Sequence, residues 1–256
     1  MSKINFAGIV DHSTIDYPEK LSAVVYLCGC PYRCPWCQNA ELVFNEGNCK
    51  PTGIDKIIDQ LNENFLIQAV CVTGGEPLMQ KETIELLRGI KSETDLLLKI
   101  DTNGYFPERL KEVLPLLDFF TTDVKAPLSE RYGEVVGLPD RWEKIVDRVE
   151  RTLNILKKWN HQKEARTTIV PDMIDKKEEI IEIAKLVNDV GFTLYTLQQF
   201  RAERTLDPEY EKIQSPSPEL MRELGRAAKE HLPKTRVQIV TRQNGFEEIR
   251  CKEGEI

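Results

Sequence analysis

Cys30, Cys34 and Cys37 put three thiols on one short stretch of YLCGCPYRCPWCQNA (residues 26–40), and Cys28 stands two positions ahead of them. Thiolates are soft ligands, and three on one loop suit a four-iron four-sulfur cluster that keeps one iron open to a small molecule. With Cys28 added, four thiols could instead close a tetrahedral zinc site, although one residue between Cys28 and Cys30 is tight for such ligation. Alternatively, Cys28 ends an extended segment and packs as a small hydrophobe. Further along, Gly74-Gly75-Glu76-Pro77 joins glycines that let backbone approach a ligand to a carboxylate that suits a cation. Asp101-Thr102-Asn103-Gly104 and Asp123-Val124-Lys125 follow. Two acids sharing one site repel unless a cation or Lys125 sits with them. Each motif taken singly also reads as a turn, with Lys125 reaching solvent.

The elements that must position these residues alternate. Leu21–Leu27, Ile67–Thr73, Leu96–Asp101, Phe119–Asp123, Arg166–Val170 and Thr193–Leu197 read as buried strands. Helical stripes separate them: Ile54, Ile57, Ile58 and Leu61; 79–91; 107–116; 141–160 with Ile145, Val149 and Leu153; and 176–190. Strand-helix repeats of this kind want parallel strands with right-handed crossovers. Every strand delivers its unusual residues at its C-terminal end, as a barrel does and an open sheet with one switch point does not. The pattern predicts an α/β fold, a partial (β/α)6 barrel. Ser217 caps a last helix to about His231 and Arg236–Thr241 forms a further strand, a C-terminal extension. One domain over 1–256 is expected, with its core at about 20–200 and the extension at 201–256.

A chain of 256 residues, 41% hydrophobic, can bury such a core. Its longest early apolar run, Ala23–Cys28, is too short to cross a bilayer, and no signal-peptide pattern precedes it, so a cytoplasmic protein is expected. A net charge of -7 gives no drive toward nucleic acid or anionic membranes. Seven cysteines, with Cys49, Cys71 and Cys251 scattered, do not read as a disulfide framework, and a reducing compartment fits. His12, His161 and His231 stand apart. The polar segment from Arg201 to Pro218 reads as a cover for substrate or as a connector.

Cys30-x3-Cys34-x2-Cys37, with Trp36 before the last cysteine, resembles the signature of the radical S-adenosylmethionine superfamily. The resemblance implies a partial barrel and one 4Fe-4S cluster on those three cysteines, whose open iron takes the amino and carboxylate groups of S-adenosylmethionine (SAM). Gly74, Gly75 and Glu76 would then serve the methionyl ammonium, and Trp36 would lie beside the adenine. Asp101, Thr102, Asn103, Asp123 and Lys125 look like the strand ends of glycyl radical enzyme activating enzymes. There Asp101, Thr102 and Asp123 would hold a monovalent cation, Lys125 would meet the ligand's carboxylate, and Asp101 and Asn103 would line the ligand. Gln198 or Gln199 would contact it from the sixth strand. Ser13–Lys20 (STIDYPEK) is similar to the N-terminal segment of activases for anaerobic ribonucleotide reductase, with Glu19 where glycine is usual. A glycyl radical enzyme is the implied protein substrate, and a one-electron donor such as flavodoxin or ferredoxin the implied reductant. Two alternatives stay open: radical chemistry on a small heterocycle, as in 7-carboxy-7-deazaguanine synthases, and a zinc-stabilised binding module without catalysis.

Overall fold

The chain opens with a strand that its hydrophobic pattern does not announce. In the computed structural model, which describes residues 2–250, β1 (Lys3–Ser13) pairs antiparallel with β2 (Ser22–Leu27) on one side and with β3 (Lys50–Gly53) on the other. β1 escapes notice because only Ile4 among its side chains is buried, so alternation is weak. The described chain divides into two compact units, one running to Tyr32 and from Asn39 to Thr121, the other holding Arg33–Gln38 and continuing from Thr122.

In the first unit β2 is buried along its length, as its β-branched run requires, and lies parallel to β4 (Ala69–Gly74) with Ser22 against Ala69 and Leu27 against Gly74. β5 (Leu97–Thr102) lies parallel to β4 in turn. The strand order here is β5-β4-β2-β1-β3. α1 (Ala40–Val43) follows the cysteine loop, α2 (Ile54–Glu63) buries Ile54, Ile57, Ile58 and Leu61, and α3 (Thr83–Glu93) buries Leu86, Leu87 and Ile90. α4 (Pro107–Val113) begins on a proline whose missing N–H costs nothing at a helix start.

The chain passes to the second unit within β6 (Phe119–Asp123). α5 (Glu130–Val135), which the sequence reading omits, is too short to show a period. α6 (Trp142–Leu156) turns Ile145, Val149 and Leu153 inward, and α7 (Lys177–Val190) does so with Ile180, Ile183, Ala184 and Val187. β7 (Lys163–Ile169), β8 (Leu194–Gln199) and β9 (Arg236–Thr241) run parallel to one another, and β10 (Gly245–Ile249) returns antiparallel to β9. α8 (Pro218–Lys229) is capped as expected, the Ser217 hydroxyl oxygen accepting the Leu220 N–H at 3.2 Å. β10 is missed because its GFEEI sequence is that of a polar edge strand.

One expectation is overturned. Cys28 and Cys49 form a disulfide, so the cysteines do include a covalent pair and Cys28 is not an unbonded strand residue. The reason is register: Phe6 on β1 faces Leu27 on one side and Lys50 on the other, which delivers the next cysteine of each neighbour to the same place. Spacing along the chain carries no trace of this. Cys251 lies outside the described residues.

Candidate active site

Parallel register is what brings the motif residues of the first unit together. Because Leu27 and Gly74 are paired, the cysteine loop and the GGEP turn leave their strands side by side, and they continue to bond: Gly75 N–H donates to Leu27 O at 3.0 Å and Glu76 N–H to Gly29 O at 2.8 Å. Gly74 has φ +134, and a Cβ there would stand 1.9 Å from the Leu27 carbonyl oxygen. Only glycine permits that approach.

Glu76 is wholly buried, and its carboxylate faces the protein. Oε1 accepts from Leu78 N–H at 3.0 Å and from the Thr102 hydroxyl at 2.7 Å, while Oε2 accepts from Asn103 N–H at 2.7 Å. Glu76 therefore ties the turn after β4 to the turn after β5, and the turn offers a ligand its backbone. Asn103 sends its Nδ2–H toward Cys30 Sγ at 3.5 Å. Asp101 pairs with Lys99, whose ammonium lies 2.5 Å from Oδ1. Sequence reasoning passed over Lys99, although a lysine inside LLLKID was the available signal. It also passed over Gln80, whose Oε1 accepts Asn5 N–H and whose Nε2 donates to the carbonyls of Asn5 and Cys28, clamping β1 to the start of the cysteine loop.

The second unit holds Cys34, Trp36, Asp123 and Lys125 together. The Lys125 ammonium lies 2.7 Å from Asp123 Oδ2 and 4.9 Å from the centroid of the Trp36 ring. Burial alone would push that ammonium's pKa down, but Asp123 and Cys34 reverse the sign and hold it above its ordinary value. The Cys34 thiol is pushed up to about 12, first by burial, with Lys125 opposing. Tyr132 supports this strand end, its hydroxyl oxygen accepting Lys125 N–H at 3.4 Å. α5, which carries Tyr132, is the element the sequence concealed.

At the end of β8 the two glutamines part company, since neighbours on a strand face opposite ways. Gln199 is buried and committed to the C-terminal extension: Nε2 donates to Pro216 O at 2.7 Å, and Oε1 accepts Arg242 N–H at 2.7 Å. Gln198 is half-buried on the other face.

The donor chemistry fits a cluster better than a lone ion. Cys28 is withdrawn into its disulfide, which removes the fourth thiol a closed zinc site would use. Among the described residues no three His, Cys, Asp or Glu side chains are grouped to hold a single metal ion. Cys30, Cys34 and Cys37 stay outside any disulfide, a set that would take one iron each and leave the fourth open. SAM also finds chemistry to meet. The Trp36 Nε1–H is buried without an acceptor, and a nitrogen-rich ring would supply one. No helix among the described residues is long and apolar enough to cross a membrane.

Comparison with known proteins places the chain in a family. The family model described as the Radical SAM superfamily matches residues 24–187. A Methanocaldococcus jannaschii protein named as a glycyl-radical enzyme activating enzyme is 35% identical over 245 residues, covering 95% of this chain and 98% of its own. A 7-carboxy-7-deazaguanine synthase from Hyperthermus butylicus is 33% identical over 87 residues, 34% of this chain and 36% of its own. A radical SAM methyltransferase from Sphaerobacter thermophilus has the same fold, with a TM-score of 0.66 at 12% identity over 94% of this chain and 78% of that one. The α/β architecture is thus the partial barrel of that fold, extended by α8, β9 and β10. The chain belongs to the radical SAM superfamily, in the branch of the glycyl radical enzyme activating enzymes.

Proposed function

We propose that this enzyme installs a glycyl radical on a partner protein, an anaerobic ribonucleotide reductase, by removing hydrogen from a backbone glycine. What carries the reading is a three-thiol loop in a chain similar along nearly its whole length to a named activating enzyme. The chemistry supplied by a bound, reduced cluster would be one electron for cleavage of the SAM sulfonium into methionine and the 5'-deoxyadenosyl radical that takes the hydrogen. Cys30, Cys34 and Cys37 hold the cluster. The backbone of Gly74, Gly75 and Glu76 receives the methionyl ammonium, with the Glu76 carboxylate keeping that turn rigid. Lys125 takes the carboxylate, Trp36 the adenine, and Asn103 and Gln198 complete the contacts. The segment from Arg201 to Pro218 docks the partner's glycine loop, and flavodoxin or ferredoxin in an anaerobic cytoplasm supplies the electron. The core and its extension work as one domain.

The test is anaerobic. Reconstituted protein should contain iron and sulfide, and with dithionite should release 5'-deoxyadenosine. That release should vanish in Cys30→Ala, Cys34→Ala and Cys37→Ala and persist in Cys28→Ala. A candidate reductase mixed with it should show a glycyl doublet by electron paramagnetic resonance. A colourless protein carrying one zinc would sink the proposal. The partial likeness to a 7-carboxy-7-deazaguanine synthase favours a second reading, a small heterocyclic substrate. Turnover of a small heterocycle with no doublet on any reductase would select it.

A further inference from the structure

The resemblance to activating enzymes implies a monovalent cation on Asp101, Thr102 and Asp123, and all three already have partners inside the protein. Lys99 precedes Asp101 by two positions, which sets both on one face of β5. Its side chain is wholly buried, with the ammonium 2.5 Å from Asp101 Oδ1, 2.6 Å from the Asp16 carbonyl oxygen and 3.7 Å from Cys71 Sγ. The ammonium thus donates to two fixed acceptors and forms an ion pair with Asp101. The surroundings are built for this. Parallel register sets Cys71 on β4 beside Lys99. The STIDYPEK turn presents the Asp16 carbonyl, folded by the Ser13 hydroxyl donating to Asp16 Oδ2 at 2.5 Å. Elsewhere the Thr102 hydroxyl donates to Glu76 Oε1 and its oxygen accepts the Gly104 N–H at 3.2 Å, and Asp123 is paired with Lys125. A potassium or sodium ion brought to Asp101 would stand beside a like charge in a place water does not screen.

We propose that Lys99 is the chain's own replacement for the monovalent cation, a positioning residue whose ammonium neutralises and orients Asp101 so that the site needs no added ion. An ammonium carries the same single charge as potassium, and here a covalent tether delivers it. The residues the resemblance assigns to a cation therefore do not fit one. The meaning of Lys99 for catalysis rests on the proposed SAM site, so the test reads the protein without that ligand.

Thermal unfolding of the full chain is followed in sodium, potassium and tetramethylammonium chloride at equal ionic strength, before and after cluster reconstitution. Wild type should unfold at the same temperature in all three. Lys99→Met should unfold earlier in tetramethylammonium chloride and recover, saturably, as potassium or sodium is added, because a small ion can enter the vacated space and the bulky one cannot. A saturable gain by wild type in potassium or sodium would overturn the proposal, as would a Lys99→Met protein indifferent to all three salts. Should Lys99→Met fail to fold, the wild-type series still decides. Failure to release 5'-deoxyadenosine in any salt would count against the proposed function and leave the unfolding result legible.

Discussion

Lys99 with Asp101 and Lys125 with Asp123 are the same chemical pair at the same spacing, each at the end of a barrel strand, and they differ in burial. The side chains of Lys99 and Asp101 are 0% and 16% exposed, those of Lys125 and Asp123 11% and 36%. Lys99 lies upstream of its aspartate, so its stem runs within the strand and its head is enclosed by Asp16 and Cys71. Lys125 lies downstream, beyond the strand end, where its head rests over Trp36 and beside a carboxylate that still meets solvent. A buried ammonium held by two fixed acceptors and an ion pair holds structure. One held by an open carboxylate and a ring face can exchange part of its environment for a ligand's carboxylate. Charge and spacing are equal in the two pairs, so the surrounding packing sets the role.

The sharpest way to break this comparison is Lys99→Met. Removing one member of a buried pair strands the other, and a loss of about 3–5 kcal/mol in denaturant unfolding is expected. Cys49→Ala supplies a yardstick outside both pairs: opening a disulfide of sequence separation 21 should cost ~3 kcal/mol. Among the described cysteines two are bonded to each other, so unfolded, cluster-free protein should titrate two thiols fewer before reduction than after it, and equal titres would dismiss the pairing. Lys125→Met should behave in the opposite sense to Lys99→Met. Its partner is partly solvated, so the stability loss should stay near ~1 kcal/mol. SAM affinity, measured by calorimetry on reconstituted protein, should meanwhile fall by roughly tenfold or more, about 1.4 kcal/mol. Equal stability losses for the two lysines would end the distinction.

The smallest effect concerns Cys34 in the cluster-free chain. Its thiol is pushed up to about 12 by burial, whereas the unfolded chain ionises that group near pH ~8.5. Above that pH the unfolded state binds fewer protons than the folded one, so stability falls as pH rises and is unaffected below it. A decline of ~1 kcal/mol over the first pH unit is expected, and Cys34→Ala should flatten it.

Much of this was legible beforehand. β6 and β9 begin and end where their apolar runs do, and α2, α6 and α7 bury the residues their stripes name. Boundaries drifted where local patterns fade: the helix read to residue 160 ends at Leu156, and the one read to His231 ends at Lys229. β1 and β10 were hidden by weak alternation, and α5 by its length. Within the candidate site, the sequence names residues but not their orientations. Glu76 reads as a carboxylate for a ligand and is turned inward onto Thr102 and Asn103; Gln199 reads as a ligand contact and is held by Pro216 and Arg242.

The sequence by itself determined which groups are available and in what order: three thiols at cluster spacing, a glycine turn, two aspartates and a lysine, each after a strand, because covalent spacing and hydrophobic period are local. Tertiary structure alone decided the partners. Cys28 meets Cys49 across a separation of 21 residues, Gln80 reaches Asn5 across 75, and Lys99 reaches Asp16 across 83. Such groups share no local pattern. They meet only once strand register has set which residue stands beside which, and that register comes from burying β2, β4 and β5 together.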